Sequence, residues 1–222
     1  MIVAFDVNET LLDLAPLDPL FEEAFGDASL RQQWFAQMLQ ISFVGGLTDR
    51  YVDFSTAQRA ALEMIGAIRG VELGDDQGER ILDGMRTLPA HPEVPAALDH
   101  LKAAGFTLAT LTNSPLDVAQ DQVRSAGVAD RFDAVLSADQ VQALKPRPEP
   151  YVLVARTFDV APSDVRLVAA HAWDVTGAIA AGCAAAFVQR PGKVPSPLGD
   201  QPDIVGDDLA AVAEAIVARD RP

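Results

Sequence analysis

From Pro89 onward the chain alternates short apolar stretches with helical ones, and this alternation constrains the fold more than any other feature. Helical spacing runs over Glu93 to Ala104, Leu116 to Ser125, Pro148 to Phe158 and Asp174 to Ala181. Between these stretches, Phe106 to Leu111, Ala134 to Ser137, Val165 to Ala170 and Ala184 to Val188 read as strands. Gly105, Gly127 and Gly182 fall where the helices should stop, because a helix often ends on a left-handed residue and glycine meets no steric penalty there. Short apolar strands alternating with helices predict a mainly parallel sheet covered on both faces. Arg190 to Pro202, rich in Pro and Gly, reads as a surface loop before a final helix, Leu209 to Arg219.

One further strand, Met1 to Phe5, stands apart from this pattern and must join the same sheet. The stretch that follows it reads as helices alone: Pro19 to Phe25, Ser29 to Val44, Asp49 to Ile68 and Asp75 to Arg86. Trp34, Phe35, Met38, Leu39, Ile41 and Phe43 recur at helical spacing, so at least one face of this block is buried. The block is therefore an insertion, entered and left near Asp13 and Leu88. The expected fold is α/β: a Rossmann-like parallel-sheet core from residues 1–13 and 89–222, with residues 14–88 as an inserted helical cap.

Composition excludes several functions. With 222 residues and 49% hydrophobic content, the chain can bury a full core. Its formal charge of −15 repels phosphate backbones and anionic lipid, which disfavours nucleic acid and membrane partners. No apolar run approaches the roughly 18 residues of a membrane span. The chain opens on a strand rather than on a basic, then apolar, leader. The single Cys183 cannot form an intramolecular disulfide and sits in a core-like setting. A cytoplasmic location is expected. The same negative charge means that a site for an anionic substrate must gather positive charge locally, and the only lysines are Lys102, Lys145 and Lys193.

A parallel sheet binds ligands beyond the carboxyl ends of its strands. The first strand delivers Asp6 there, the second Thr112, Asn113 and Ser114, the third is followed by Lys145, and the fourth by His171 and Asp174. A carboxylate at the end of a buried strand is poorly solvated unless neighbours hold it, so Asp6 is read as a nucleophile. Singly, each residue has a plainer reading. Asp6 could be a turn residue, Thr112 to Pro115 and Asp174 helix caps, and Lys145 a solvated loop residue. Their convergence on one sheet edge weakens those readings.

Phe5 to Asp13, Leu111-Thr112-Asn113, Lys145-Pro146 and Ala172-Trp173-Asp174 resemble, in order, the four motifs of the haloacid dehalogenase superfamily. Within it the chain is most similar to the L-2-haloacid dehalogenases, through Trp34, Arg50 to Phe54, Lys145 to Tyr151, and Trp173 to Ala178. The resemblance implies that Asp6 attacks the carbon bearing the halogen to form an ester, which water then hydrolyses. It implies that Lys145 keeps Asp6 ionised, that Asp174 partners Lys145 and is a candidate for activating water, and that Thr10, Thr112 and Asn113 donate hydrogen bonds. Leu39, Phe54 and Trp173 match positions lining an apolar substrate pocket, with Asn8, Phe35, Tyr151 and His171 as further substrate contacts. The implied partner is a small halogenated carboxylic acid, without metal or other cofactor. Pairing into a homodimer, common among such enzymes, is left open.

The superfamily is dominated by magnesium-dependent phosphatases, which is the alternative activity; a binding protein with a decayed site is another. A phosphatase of this type needs a second Asp two positions after the nucleophile as general acid and further carboxylates for the metal; here Asn8 and Ala170 stand at two such positions. Halide leaves without protonation, so displacement from carbon needs neither. The chain also departs from the dehalogenase pattern. Phe35 replaces an Arg that receives halide, Ala169 and His171 replace a Ser and an Asn, and Asn8 replaces an aromatic residue. A His in that place would make halide or carboxylate binding sensitive to pH.

Overall fold

The computed structural model describes residues 1–220. Strands β1 (Ile2–Phe5), β2 (Thr107–Thr112), β3 (Ala134–Ser137), β4 (Val165–Ala169), β5 (Ala184–Val188) and β6 (Ile204–Gly206) form one parallel sheet in the order β3-β2-β1-β4-β5-β6. β1 is central: Ile2 lies opposite Thr107 on one side and Val165 on the other. In this order the chain winds away from β1 in one direction and from β4 in the other, which opens a crevice beyond the carboxyl ends of those two strands.

Period-two alternation sends β1 side chains to opposite layers. Ile2 and Ala4 pack with Tyr151 and Val154 of α7 (Pro148–Thr157) and with Val175 and Ala178 of α8 (Ala172–Ala180). Val3 and Phe5 face Leu98 and Leu101 of α5 (Val94–Ala103) and Val212 and Ile216 of α9 (Leu209–Arg219). Between β2 and β3 runs α6 (Leu116–Ser125).

The segment between β1 and α5 carries α1 (Asp18–Phe25), α2 (Leu30–Leu47), α3 (Phe54–Arg69) and α4 (Asp75–Gly84). Trp34 fixes α2 on α3 by burying its ring and donating its indole N–H to the Gln58 carbonyl at 2.9 Å. The two connections to the sheet lie side by side: Leu12 bridges Ala90, the Asp13 N–H donates to the Pro89 carbonyl, and the His91 N–H donates to that of Leu11.

Most expected elements are present within a residue or two, with three differences. The predicted helix from Asp49 starts instead at Phe54, because the Asp53 side chain accepts the Thr56 N–H at 2.9 Å and so caps the helix. α8 begins at Ala172, so Asp174 is in its first turn rather than at its start. β6 follows the predicted loop and had no counterpart in the sequence reading. Its place depends on distant residues: Arg166 of β4, buried, donates to Asp203 and Asp220, and Gly206 lies so close to Val212 that a β-carbon would come within 2.8 Å of its Cγ2. Among the described residues no helix is long and apolar enough to cross a membrane.

Candidate active site

Asp6 follows β1 directly, and its N–H donates to the Val168 carbonyl of β4, so the strand pairing itself carries the residue into the crevice. The turn after it reverses at once: the N–H groups of Leu11 and Leu12 both reach the Val7 carbonyl. That turn requires Glu9 at φ 61°, the left-handed region that non-glycine residues seldom adopt. It also returns Thr10 beneath Asp6. The Thr10 hydroxyl donates to Asp6 Oδ2 at 2.6 Å and accepts the Ala170 N–H at 3.0 Å, which ties the ends of β1 and β4 together.

Lys145 arrives from the segment after β3. Asn113 sets its backbone, accepting the Lys145 N–H at 2.8 Å and donating to its carbonyl at 3.3 Å. The buried ammonium then spends its donors on Asp6 Oδ1 at 2.9 Å, Asp174 Oδ2 at 2.6 Å and the Leu111 carbonyl at 2.7 Å. Asp174 Oδ1 accepts the Tyr151 hydroxyl at 2.6 Å. Gly177 lets α8 approach closely enough for this, since a β-carbon there would lie 2.5 Å from the Tyr151 hydroxyl and 2.7 Å from Pro146 Cβ.

Charges in this buried chain set one another. Burial alone would raise the Asp6 pKa, but the Lys145 charge, His171 and the Thr10 hydrogen bond outweigh it and hold Asp6 below the ordinary carboxylate range. Burial also works against the Lys145 charge, and Asp174 and Asp6 overcome it, so the ammonium is held above its ordinary range. Asp174 shifts upward, because burial and the nearby Asp6 charge exceed the help from Lys145. Of the two carboxylates, Asp6 is thus the one held below its ordinary range.

Beyond Asp6 lies a small pocket of about 10 Å³. Phe35, Leu39, Phe54, His171 and Trp173 form its side walls, and Asn8, Thr112 and Asn113 border it beside Asp6 and Lys145. The predicted residues converge here, with qualifications. Tyr151 does not line the pocket; it stands behind Asp174. Asp174 is not in the lining either, and both of its oxygens already accept donors. The Asn8 amide is committed to protein partners, donating to Ser114 Oγ at 3.1 Å and accepting from Gln122 at 2.9 Å. Trp34, a residue that carried the resemblance, is buried in helix packing away from this lining.

Phe35, His171 and Trp173 form a stacked column, with ring centroids 5.8 Å apart in the first pair and 5.3 Å in the second. The Trp173 indole N–H is buried and has no hydrogen-bond partner among the described residues. His171 precedes α8, and its Nε2 lies 3.8 Å from Asp6 Oδ2, 3.6 Å from Glu9 Oε2 and 3.3 Å from the Asn8 carbonyl. Glu9 also accepts Lys193 at 2.6 Å. Sequence reading passed over Glu9, whose adjacency to His171 comes only from the sheet; its place in the Asp6 to Thr10 turn was the one available signal.

The donor set does not fit a magnesium ion. An ammonium already bridges Asp6 and Asp174, the Asn8 amide is spent on protein partners, and the Ala170 side chain offers no ligand. Among the described residues no group of three or more His, Cys, Asp or Glu is arranged to hold a metal.

Fold and site define the class as a parallel α/β protein with a buried, ionised aspartate at the sheet crevice. The chain belongs to the haloacid dehalogenase-like hydrolases, whose family model matches residues 1–182. It is 32% identical over 214 residues to an (S)-2-haloacid dehalogenase of Pseudomonas sp. (strain YL), covering 96% of this chain and 92% of that one. It is 27% identical over 216 residues to haloacetate dehalogenase H-2 of Moraxella sp. (strain B), covering 96% of each. The solved structure of L-2-haloacid dehalogenase from Xanthobacter autotrophicus with chloropropionic acid covalently bound superimposes with a TM-score of 0.91 at 27% identity, over 99% of this chain and 100% of that one.

Proposed function

We propose that the protein is a metal-independent hydrolase that removes halide from short 2-haloacids through an ester on Asp6. The observation that carries this reading is Asp6 itself, kept ionised by Lys145 and Thr10 in a small pocket walled by Phe35, Leu39, Phe54 and Trp173. Residues 14–88 are the cap over this pocket, and residues 1–13 and 89–222 the catalytic core.

In the first step an Asp6 carboxylate oxygen attacks C2 of the acid, and the carbon–halogen bond breaks with its electron pair leaving on the halide. Trp173 offers its unpartnered indole N–H to that halide, on the wall where Phe35 brings no charge. In the second step water adds to the Asp6 carboxyl carbon. The His171 Nε2–H, set between the Asn8 carbonyl, Asp6 Oδ2 and the Glu9 carboxylate, stabilises the negative charge that develops on the Asp6 oxygens as water adds. Lys145 and Thr10 already donate to the two Asp6 oxygens, where negative charge develops. Collapse breaks the bond between the Asp6 carbonyl carbon and the ester oxygen, one water proton leaves with the 2-hydroxyacid, and loss of the other to solvent restores the Asp6 carboxylate. Asp174 and Tyr151 hold Lys145 in place.

Chloride release from L-2-chloropropionate that persists in a chelator is the expected result. No release, or magnesium-dependent cleavage of p-nitrophenyl phosphate in its place, would contradict the reading.

A further inference from the structure

The pocket at Asp6, about 10 Å³, has space for about one water molecule. No haloacid fits it unless a wall moves. Next to it lies a far larger cavity of about 730 Å³, within the usual range for small-molecule sites. Phe35, Leu39, His171 and Trp173 line both spaces, so this one wall separates them. On its far side the cavity is rimmed by exposed Pro191, Gly192 and Val194 of the loop after β5.

The parts of the wall differ in how firmly they are held. His171 contacts the Asn8 carbonyl, and Trp173 lies beneath Lys145, whose Nζ is 5.9 Å from its ring. Phe35 and Leu39 have no polar anchor and stand one turn apart on the same face of α2, so a small shift of that helix displaces both.

The large cavity also holds the local positive charge that a protein of net charge −15 needs to admit an anion. Arg31, Arg190 and Lys193 line it, against Glu9 and Asp13. Arg31 is committed to Asp18, and Arg190 to Glu93 and the Thr10 carbonyl. Lys193 is the adaptable member: it is half-buried in a loop, paired among the described residues with Glu9 alone, and 5.9 Å from the Phe35 ring on the cavity side.

From this arrangement we infer that the large cavity is a carboxylate-binding vestibule, in which Lys193 receives the organic acid and Phe35 is the gate to Asp6. The inference rests on the dehalogenase reading only for the halogen; the vestibule itself selects small organic monocarboxylates. Because the gate opens into a roomy cavity, Phe35 also sets how long an acid the site accepts.

Equilibrium titration with propionate and hexanoate tests this without turnover. Lys193→Gln weakens binding of both acids by about tenfold, the loss of one charge-assisted contact. Phe35→Ala, with Phe35→Leu as the milder replacement, improves hexanoate binding relative to propionate by about tenfold, as extra methylenes enter the joined space. The ratio between the two acids cancels any general loosening of the fold. Unchanged affinities in Lys193→Gln and an unchanged ratio in both Phe35 variants would overturn the vestibule, whether or not the wild type releases halide. The shifts in binding without halide release from any 2-haloacid would leave the vestibule standing and overturn the dehalogenase reading instead.

Discussion

Lys145 Nζ lies 2.9 Å from Asp6 Oδ1 inside the protein, a contact made across most of the chain's length. It holds Asp6 below, and Lys145 above, their ordinary ranges. The signs follow by linkage. Asp6 contributes stability that is fully present above 3.8, its ordinary value, and lost as pH falls through the lower folded value. Lys145 contributes stability that is present below 10.5 and lost as pH rises through its higher folded value. Replacing Lys145 with Met should move the Asp6 titration upward, read from the carbon-13 signal of labelled aspartate, and lower kcat at least about a hundredfold. An Asp6 signal that titrates as in the wild type would contradict the role of Lys145.

His171 and Glu9 act, in this account, only after the ester has formed. His171→Gln should therefore still release about one halide per site and then stall, with the substrate's carboxyalkyl group retained on the Asp6 peptide by mass. Glu9→Gln should slow the same step by about tenfold or more. Loss of the first halide along with turnover would place His171 in the displacement step instead.

In the proposed mechanism Trp173 supplies the halide donor, so Trp173→Phe, which keeps the stacking ring and loses the N–H, should weaken inhibition by added bromide about tenfold. The folded state should change little. Bromide inhibition equal to that of the wild type would remove Trp173 from the halide contact.

Gly177→Ala forces a methyl group against Tyr151 and Pro146. The expected cost is about 1–3 kcal/mol in chemical denaturation, with a further fall in kcat because Tyr151 and Asp174 position Lys145. A neutral substitution would show that α8 can move away without consequence.

The sheet was legible in the sequence because each strand is short, apolar and bounded by helix stops. Gly105, Gly127 and Gly182 all adopt positive φ in the structure, as their positions after helices required. Asp6 and Lys145 were legible as a group because parallel strands must deliver their ends to one edge, and Thr10 through the resemblance of the turn after Asp6. β6 was hidden, since Ile204 is its one buried residue and its position is fixed by Arg166 and Val212 from elsewhere in the chain. Asp174 pairs with Lys145 as expected, but Tyr151, read as a substrate contact, stands behind Asp174, because sequence motifs give adjacency to the site but not which side of Lys145 a residue occupies. Glu9 was overlooked for a related reason: a carboxylate in a turn carries no mark until the fold sets His171 beside it.

A single turnover in oxygen-18 water tests the central claim most directly. The account predicts one heavy oxygen in the Asp6 side chain, found by mass analysis of its peptide, and an unlabelled hydroxyl on the first 2-hydroxyacid released. Heavy oxygen in that first product with none in Asp6 would mean that water attacks the substrate directly, and the covalent mechanism would be wrong.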